Sequence, residues 1–110
     1  MTLDDTRFET LAEQTLRRIQ DVLEESLSDD LEADLQSGIL TIDLEEGGQY
    51  VLNKHRPNRQ VWMSSPRSGA SHFGYDEAAG AWVATRGGGR LEEMLAEELA
   101  ALTGRKVSFD

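Results

Sequence analysis

The chain has 110 residues, no cysteine, and 21 acidic against 11 basic side chains, for a formal net charge of −10. That length supports one modest hydrophobic core, and the missing thiols exclude disulfides, thiolate metal sites and cysteine nucleophiles. The acidic balance argues against nucleic acid and anionic membrane, both held through basic contacts to phosphate, and favours cations and basic protein surfaces.

No apolar run approaches the ~20 residues of a membrane span, and Asp4 and Asp5 are unlike the start of a secretory signal. We therefore expect a single cytoplasmic domain over residues 1–110. The charge is unevenly spread. Residues 1–34 hold eleven carboxylates against three arginines, whereas residues 49–75 hold four Lys or Arg and no carboxylate.

From Leu3 to Leu27 the apolar residues Phe8, Leu11, Ala12, Leu16, Ile19, Val22, Leu23 and Leu27 recur at three and four, which predicts an amphipathic helix. Glu13, Asp21, Glu24 and Glu25 project away from that stripe. Ser28-Asp29-Asp30 reads as a turn. Leu31, Ala33 and Leu35 then alternate with Glu32, Asp34 and Gln36 as in a half-buried strand, so the acid continues from helix to strand. After Gly38, Leu40, Ile42 and Leu44 face inward on a second strand, and Glu46-Gly47-Gly48 turns the chain into a third over Gln49 to Lys54.

Pro57 marks a turn into a fourth strand, Gln60 to Ser65. There Val61 and Met63 point to the core and Trp62 to solvent, between Gln60 and Ser64. An exposed Trp preceded by Arg56 and Arg59 is a combination common at interface hot spots. Ser71 to Tyr75 and Ala81 to Thr85 give two more strands, joined by a loop over Asp76 to Gly80. Trp82 is expected at a strand end or sheet edge. Gly87-Gly88-Gly89 lacks the Lys-Ser or Lys-Thr of a phosphate loop and leads to a second helix, Arg90 to Thr103, with the stripe Leu91, Met94, Leu95, Leu99 and Leu102. Gly104 can end it in a left-handed cap, and Val107-Ser108-Phe109 packs back on the body. Helix, six strands and helix predict an α+β, two-layer sandwich. Both helices lie on one face of a mainly antiparallel sheet, and the other face is wet.

The run Tyr50-Val51-Leu52-Asn53-Lys54, then Pro57-Asn58-Arg59-Gln60-Val61-Trp62-Met63-Ser64-Ser65-Pro66 and Ser68-Gly69, resembles the frataxin family, particularly its bacterial branch. Gly38-Ile39-Leu40-Thr41-Ile42, Ala81-Trp82-Val83 and the leucine-rich last helix fall in the same order. The resemblance implies a frataxin-like sandwich and a role in iron–sulfur cluster assembly. It implies weak Fe2+/Fe3+ binding on an acidic ridge at Asp21, Glu24, Glu25, Asp29, Asp30, Glu32 and Asp34. It also implies a partner surface at Asn53, Gln60, Trp62 and His72, the last falling where mitochondrial members have an arginine.

The implied partners are a cysteine desulfurase and an iron–sulfur scaffold protein, and the implied state is a monomer without metal, with a metal-driven oligomer left open. Carboxylates suit iron and other divalent cations. No Ser-His-Asp constellation or nucleotide motif points to an enzyme. A pure docking regulator with incidental metal, and a ferroxidase or iron-storage role, stay open as alternatives. His55 and His72, in a carboxylate-free stretch, read as ordinary surface residues.

Overall fold

Asp4 starts the first helix, α1 (Asp5–Ser26), by accepting the Arg7 backbone N–H on its carboxylate at 2.7 Å, which satisfies one of the donors a helix start leaves free. The structure is a computed structural model that describes residues 4–109; Leu3 lies outside them. The strands follow as β1 (Leu31–Gln36), β2 (Ile39–Leu44), β3 (Gln49–His55), β4 (Gln60–Ser65), β5 (Gly69–Asp76) and β6 (Ala81–Ala84), and the chain closes with α2 (Leu91–Thr103). A short 3-10 turn, Arg56–Asn58, carries Pro57 between β3 and β4.

The six strands form one antiparallel meander in sequence order, because every connection is too short to cross over. Between β1 and β2 the turn is Ser37-Gly38, both left-handed at φ 52° and 77°, the backbone that a two-residue hairpin of matching twist requires. Gly104 caps α2 at φ 74°, its N–H donating to the Ala100 carbonyl.

Both helices cover the same face of the sheet. Phe8, Ala12, Leu16, Ile19 and Leu23 of α1 and Leu91, Leu95 and Leu99 of α2 join Leu40, Ile42, Tyr50, Leu52, Val61, Met63 and Phe73 of the strands in one buried cluster. Phe109 is buried against it, so the tail does fold back. Strand alternation places the inward residues as the sequence predicts, since one register slip would turn the whole apolar set to water.

Several expectations need correction. Trp82 does lie on an edge strand, yet its ring is 2% exposed, packs edge-on against Phe8 and Tyr75, and donates its Nε1–H to Thr15 Oγ1 at 2.9 Å. It is a core residue. Leu102 is 38% exposed, because α2 ends one residue later and the stripe has turned off the sheet. Asp76, assigned to the loop, belongs to β5 and pairs with Ala81. Gly89 is not a free spacer either: its carbonyl accepts from Ala84 N–H at 2.7 Å, and Arg90 bridges to Val83.

Glu98 is the largest departure. It sits on the inner face of α2 at 8% exposure, where its Oε1 accepts from Tyr50 Oη at 2.7 Å and Ser65 Oγ at 2.5 Å, and its Oε2 from Ser68 Oγ at 2.7 Å. Burial alone would raise its carboxyl; the three hydroxyl donors, aided by Arg67, outweigh that and hold it below the usual range. Tyr50 moves the opposite way, its phenol pushed up by burial and by its bond to Glu98.

Candidate functional site: an acidic ridge beside an aromatic sheet face

The carboxylates of α1 fall into two groups. In its first half they meet the bases at the end of β3 and just beyond it. Lys54 Nζ lies 2.8 Å from Glu9 and 3.5 Å from Glu13, Arg59 lies 3.0 Å from Asp5, and Arg56 lies 3.9 Å from Glu9. The bond to Glu9 is the main reason that the Lys54 ammonium is raised, against the opposing effect of its burial. The positive stretch of sequence is therefore largely neutralised by the start of the helix.

In the second half of α1 and in β1 there is no such compensation. Asp21, Glu24, Glu25, Asp29, Glu32 and Asp34 are exposed and form no ion pair among the described residues. Glu24 accepts a long hydrogen bond from Gln20 at 3.4 Å. Asp30 differs, since Arg105 holds it at 3.1 Å. Glu32 and Asp34 lie on the outer face of β1 because Leu31, Ala33 and Leu35 take the inner one.

The sequence reading stopped the acid at position 34, and the structure extends it. Asp43 of β2 sits directly opposite Glu32. With Glu45 it joins Glu24, Glu32 and Asp34 around an open groove of about 690 Å³ between α1 and the first hairpin. The signal was present, since Leu40, Ile42 and Leu44 facing inward put Asp43 outward. Among the described residues, no three Asp, Glu or His side chains converge into a metal cage. The groove is a field of hard, hydrated oxygen donors suited to a cation that keeps much of its own water.

Further along the outer face the acid gives way to rings. Asn53 of β3, Trp62 of β4 and His72 of β5 stand side by side in register, and Gln60 accepts the Trp62 Nε1–H at 2.9 Å. Asn53 turns its amide to the Lys54 carbonyl at 3.3 Å. The four predicted partner residues do share one face. Trp62, however, is half-buried and not a bare anchor. His55 stacks on one side of the indole at 3.7 Å and 11°, and His72 on the other at 4.1 Å and 14°. The two histidines are thus neither isolated nor ordinary, and His55 was missed as a member of this surface.

The helix–six-strand–helix sandwich, with its unpaired acid and its aromatic patch both on open surface, is an α+β fold. The chain belongs to the frataxin family: the model of the frataxin-like domain matches residues 1–105. It is 37% identical over 111 residues to the iron-sulfur cluster assembly protein CyaY of Azotobacter vinelandii, covering 99% of this chain and 97% of that protein. It is 40% identical to mitochondrial frataxin of Arabidopsis thaliana, covering 97% of this chain and 59% of that one.

Among solved structures, frataxin from Psychromonas ingrahamii superposes with a TM-score of 0.87 at 26% identity, covering 97% of this chain and 98% of its own. Trimeric frataxin from the yeast Saccharomyces cerevisiae, complexed with ferrous iron, superposes with a TM-score of 0.76 at 35% identity, covering 86% of this chain and 87% of its own.

Proposed function

We propose that this protein serves iron–sulfur cluster assembly as a non-enzymatic, cytoplasmic iron-binding modulator. It binds Fe2+/Fe3+ weakly on the ridge Asp21, Glu24, Glu25, Asp29, Asp30, Glu32 and Asp34, and regulates or supplies iron to a cysteine desulfurase and its scaffold protein. The observation that carries this reading is the segregation of charge along α1. Glu9, Glu13 and Asp5 in its first half are paired with Lys54, Arg56 and Arg59, whereas the ridge carboxylates other than Asp30 form no ion pair among the described residues. Like charges crowded together repel and lower stability, a cost that suits a cation or a basic partner surface. The family's curated relatives named for iron–sulfur cluster assembly, and the ferrous complex of the yeast relative, support it.

Iron here is cargo. The donors are carboxylates alone, so affinity is weak and discrimination among divalent cations loose. The ridge meets the basic surface of the desulfurase and the Asn53–Gln60–Trp62–His72 face meets the scaffold.

Charge reversal at Glu24, Glu25, Asp29 and Asp30 separates this reading from a docking regulator with incidental metal. Loss of the iron response with desulfurase binding retained makes iron the point; loss of binding with the iron response retained favours the docking regulator. Titration of Fe2+ followed on backbone amides should broaden residues 21–34 and 43–45 first, and changes confined elsewhere defeat the ridge assignment.

A further inference from the structure

We propose that His55, Trp62 and His72 act as a single docking unit that takes up protons as an acidic surface of the partner closes over it. This rests on the sheet face being the scaffold-docking surface, and it adds His55 to that surface and a chemistry to the partner. Both faces of the indole are already covered by imidazoles, and its N–H is engaged by Gln60. A partner therefore cannot stack on Trp62 without first removing a histidine. It meets the edges of three aligned rings, a preformed slab whose ordering cost has already been met in the free protein.

Charge determines what fits against that slab. Histidine is the side chain that ordinarily gains and loses charge near neutrality, and a cationic imidazole on an indole face is favourable. Among the described residues, neither histidine forms an ion pair with a carboxylate. Residues 49–75 contain no carboxylate. Around the β3–β4 connection, Lys54 is bound to Glu9 and Glu13, Arg56 to Glu9, and Arg59 to Asp5, so these acids at the start of α1 are already engaged. Beneath Trp62, the neighbours are Gln60, Asn53 and Ser64. On the side of His72, Arg86 lines a shallow depression with Ala70, Ser71 and Thr85.

His55 Nδ1 is sealed from solvent and has no hydrogen-bond partner among the described residues, so it is not the atom that an outside carboxylate meets. A face that presents two histidines and, beside His72, Arg86, and whose histidines pair with no carboxylate among the described residues, is complementary to carboxylates brought from outside.

A carboxylate placed over the slab raises the proton affinity of the imidazoles, so by linkage binding takes up protons and tightens as pH falls. Calorimetric titration of the full chain with purified scaffold protein, repeated at pH 6.5 in two buffers of different ionisation enthalpy, should show uptake of about half a proton per complex. Affinity should rise about three- to tenfold from pH 7.5 to 6.0, a tenfold gain corresponding to one pKa unit. The paired substitutions His55→Gln and His72→Gln, both on the surface, should abolish the uptake and flatten the pH dependence. Uptake that is absent from the unaltered protein, or unchanged in the double variant, overturns the inference. Trp62→Ala separates the two levels. If it binds the scaffold undiminished at pH 7.5, the docking assignment itself falls; if it weakens binding while the double variant still takes up protons, only the proton-linked slab falls.

Discussion

The Tyr50 hydroxyl of β3 donates to the Glu98 carboxylate of α2 at 2.7 Å, joining residues 48 apart in sequence across the layer between sheet and helix. Around that bond the hydroxyls of Ser65 and Ser68 converge on the same carboxylate, and Ser65 Oγ in turn accepts the backbone N–H groups of Arg67 and Ser68 at 3.0 Å. One charged side chain thus ties β3, the end of β4 and the turn that follows it to the second helix.

Removing that carboxylate should be costly in a way a surface glutamate is not. Glu98→Ala strands three hydroxyl donors in a buried site, with an expected loss of about 2 to 3 kcal/mol in urea unfolding. Glu98→Gln, which keeps the shape but not the charge, should cost about half that. Because the folded carboxyl is held below its ordinary value of 4.5, its stabilisation is full above that value and drains as pH falls through the lowered folded one. The difference in unfolding midpoint between the parent and Glu98→Gln should therefore be constant at neutral pH and shrink at acid pH. A difference that grows on acidification would contradict the lowered carboxyl.

Facing acids on the first hairpin predict the opposite sign. Glu32 and Asp43 are direct cross-strand partners, and like charges so placed oppose pairing. Asp43→Asn should stabilise the fold by about 0.5 kcal/mol, more at low salt than at high because both groups are exposed. The same substitution should weaken Fe2+ binding in a dye-competition titration. If the variant gains stability and keeps its iron affinity, Asp43 belongs to the surface charge and not to the ridge.

The sequence makes the layers legible because two periodicities are written clearly in it: threes and fours in Phe8, Ala12, Leu16, Ile19 and Leu23, and alternation in Val61-Trp62-Met63. It does not make legible the residues whose partners lie far away. Trp82, between Ala81 and Val83, is placed by its sequence only at a strand end or sheet edge, and its packing on Phe8 and its bond to the Thr15 hydroxyl, 67 residues distant, mark it as core. Glu98 falls three residues after Leu95 and seven after Leu91, on the stripe that Glu97 misses, but the hydroxyls of Tyr50, Ser65 and Ser68 that make a buried carboxylate tolerable there lie 30 to 48 residues away. The acids from Asp21 to Asp34 are close in sequence and the resemblance names them as a ridge; that Asp43 and Glu45 lie beside them depends on strand pairing. His55 was missed because its stacking on Trp62 depends on how β3 and β4 pair.

The Thr15–Trp82 bond offers a check on that reassignment of Trp82. Thr15→Val keeps the volume but leaves the indole N–H without its acceptor in a buried setting, and should lower stability by about 1 to 2 kcal/mol. Emission from Trp82 should shift in this variant while the proposed Trp62 surface is untouched, which scaffold binding at unchanged affinity would show.

Gly38 and Lys54 provide a coupled prediction on the boundary between ridge and sheet. Gly38 is held at φ 77°, and a Cβ built there would stand 2.5 Å from Lys54 Cε. Gly38→Ala therefore adds left-handed strain and pushes Lys54 off Glu9 and Glu13, and it should cost about 1 to 2 kcal/mol. Lys54→Ala alone should cost about 1 kcal/mol through the lost ion pairs. It should also change the pH profile, since a lysine raised in the folded state stabilises fully below its ordinary value of 10.5 and loses that contribution as pH rises through the folded one. Combined, the two substitutions should cost less than their sum, because with Lys54 shortened the new methyl has nothing to displace. A strictly additive double variant would mean that the cost at Gly38 is backbone strain alone, and that the Lys54 clamp yields without loss.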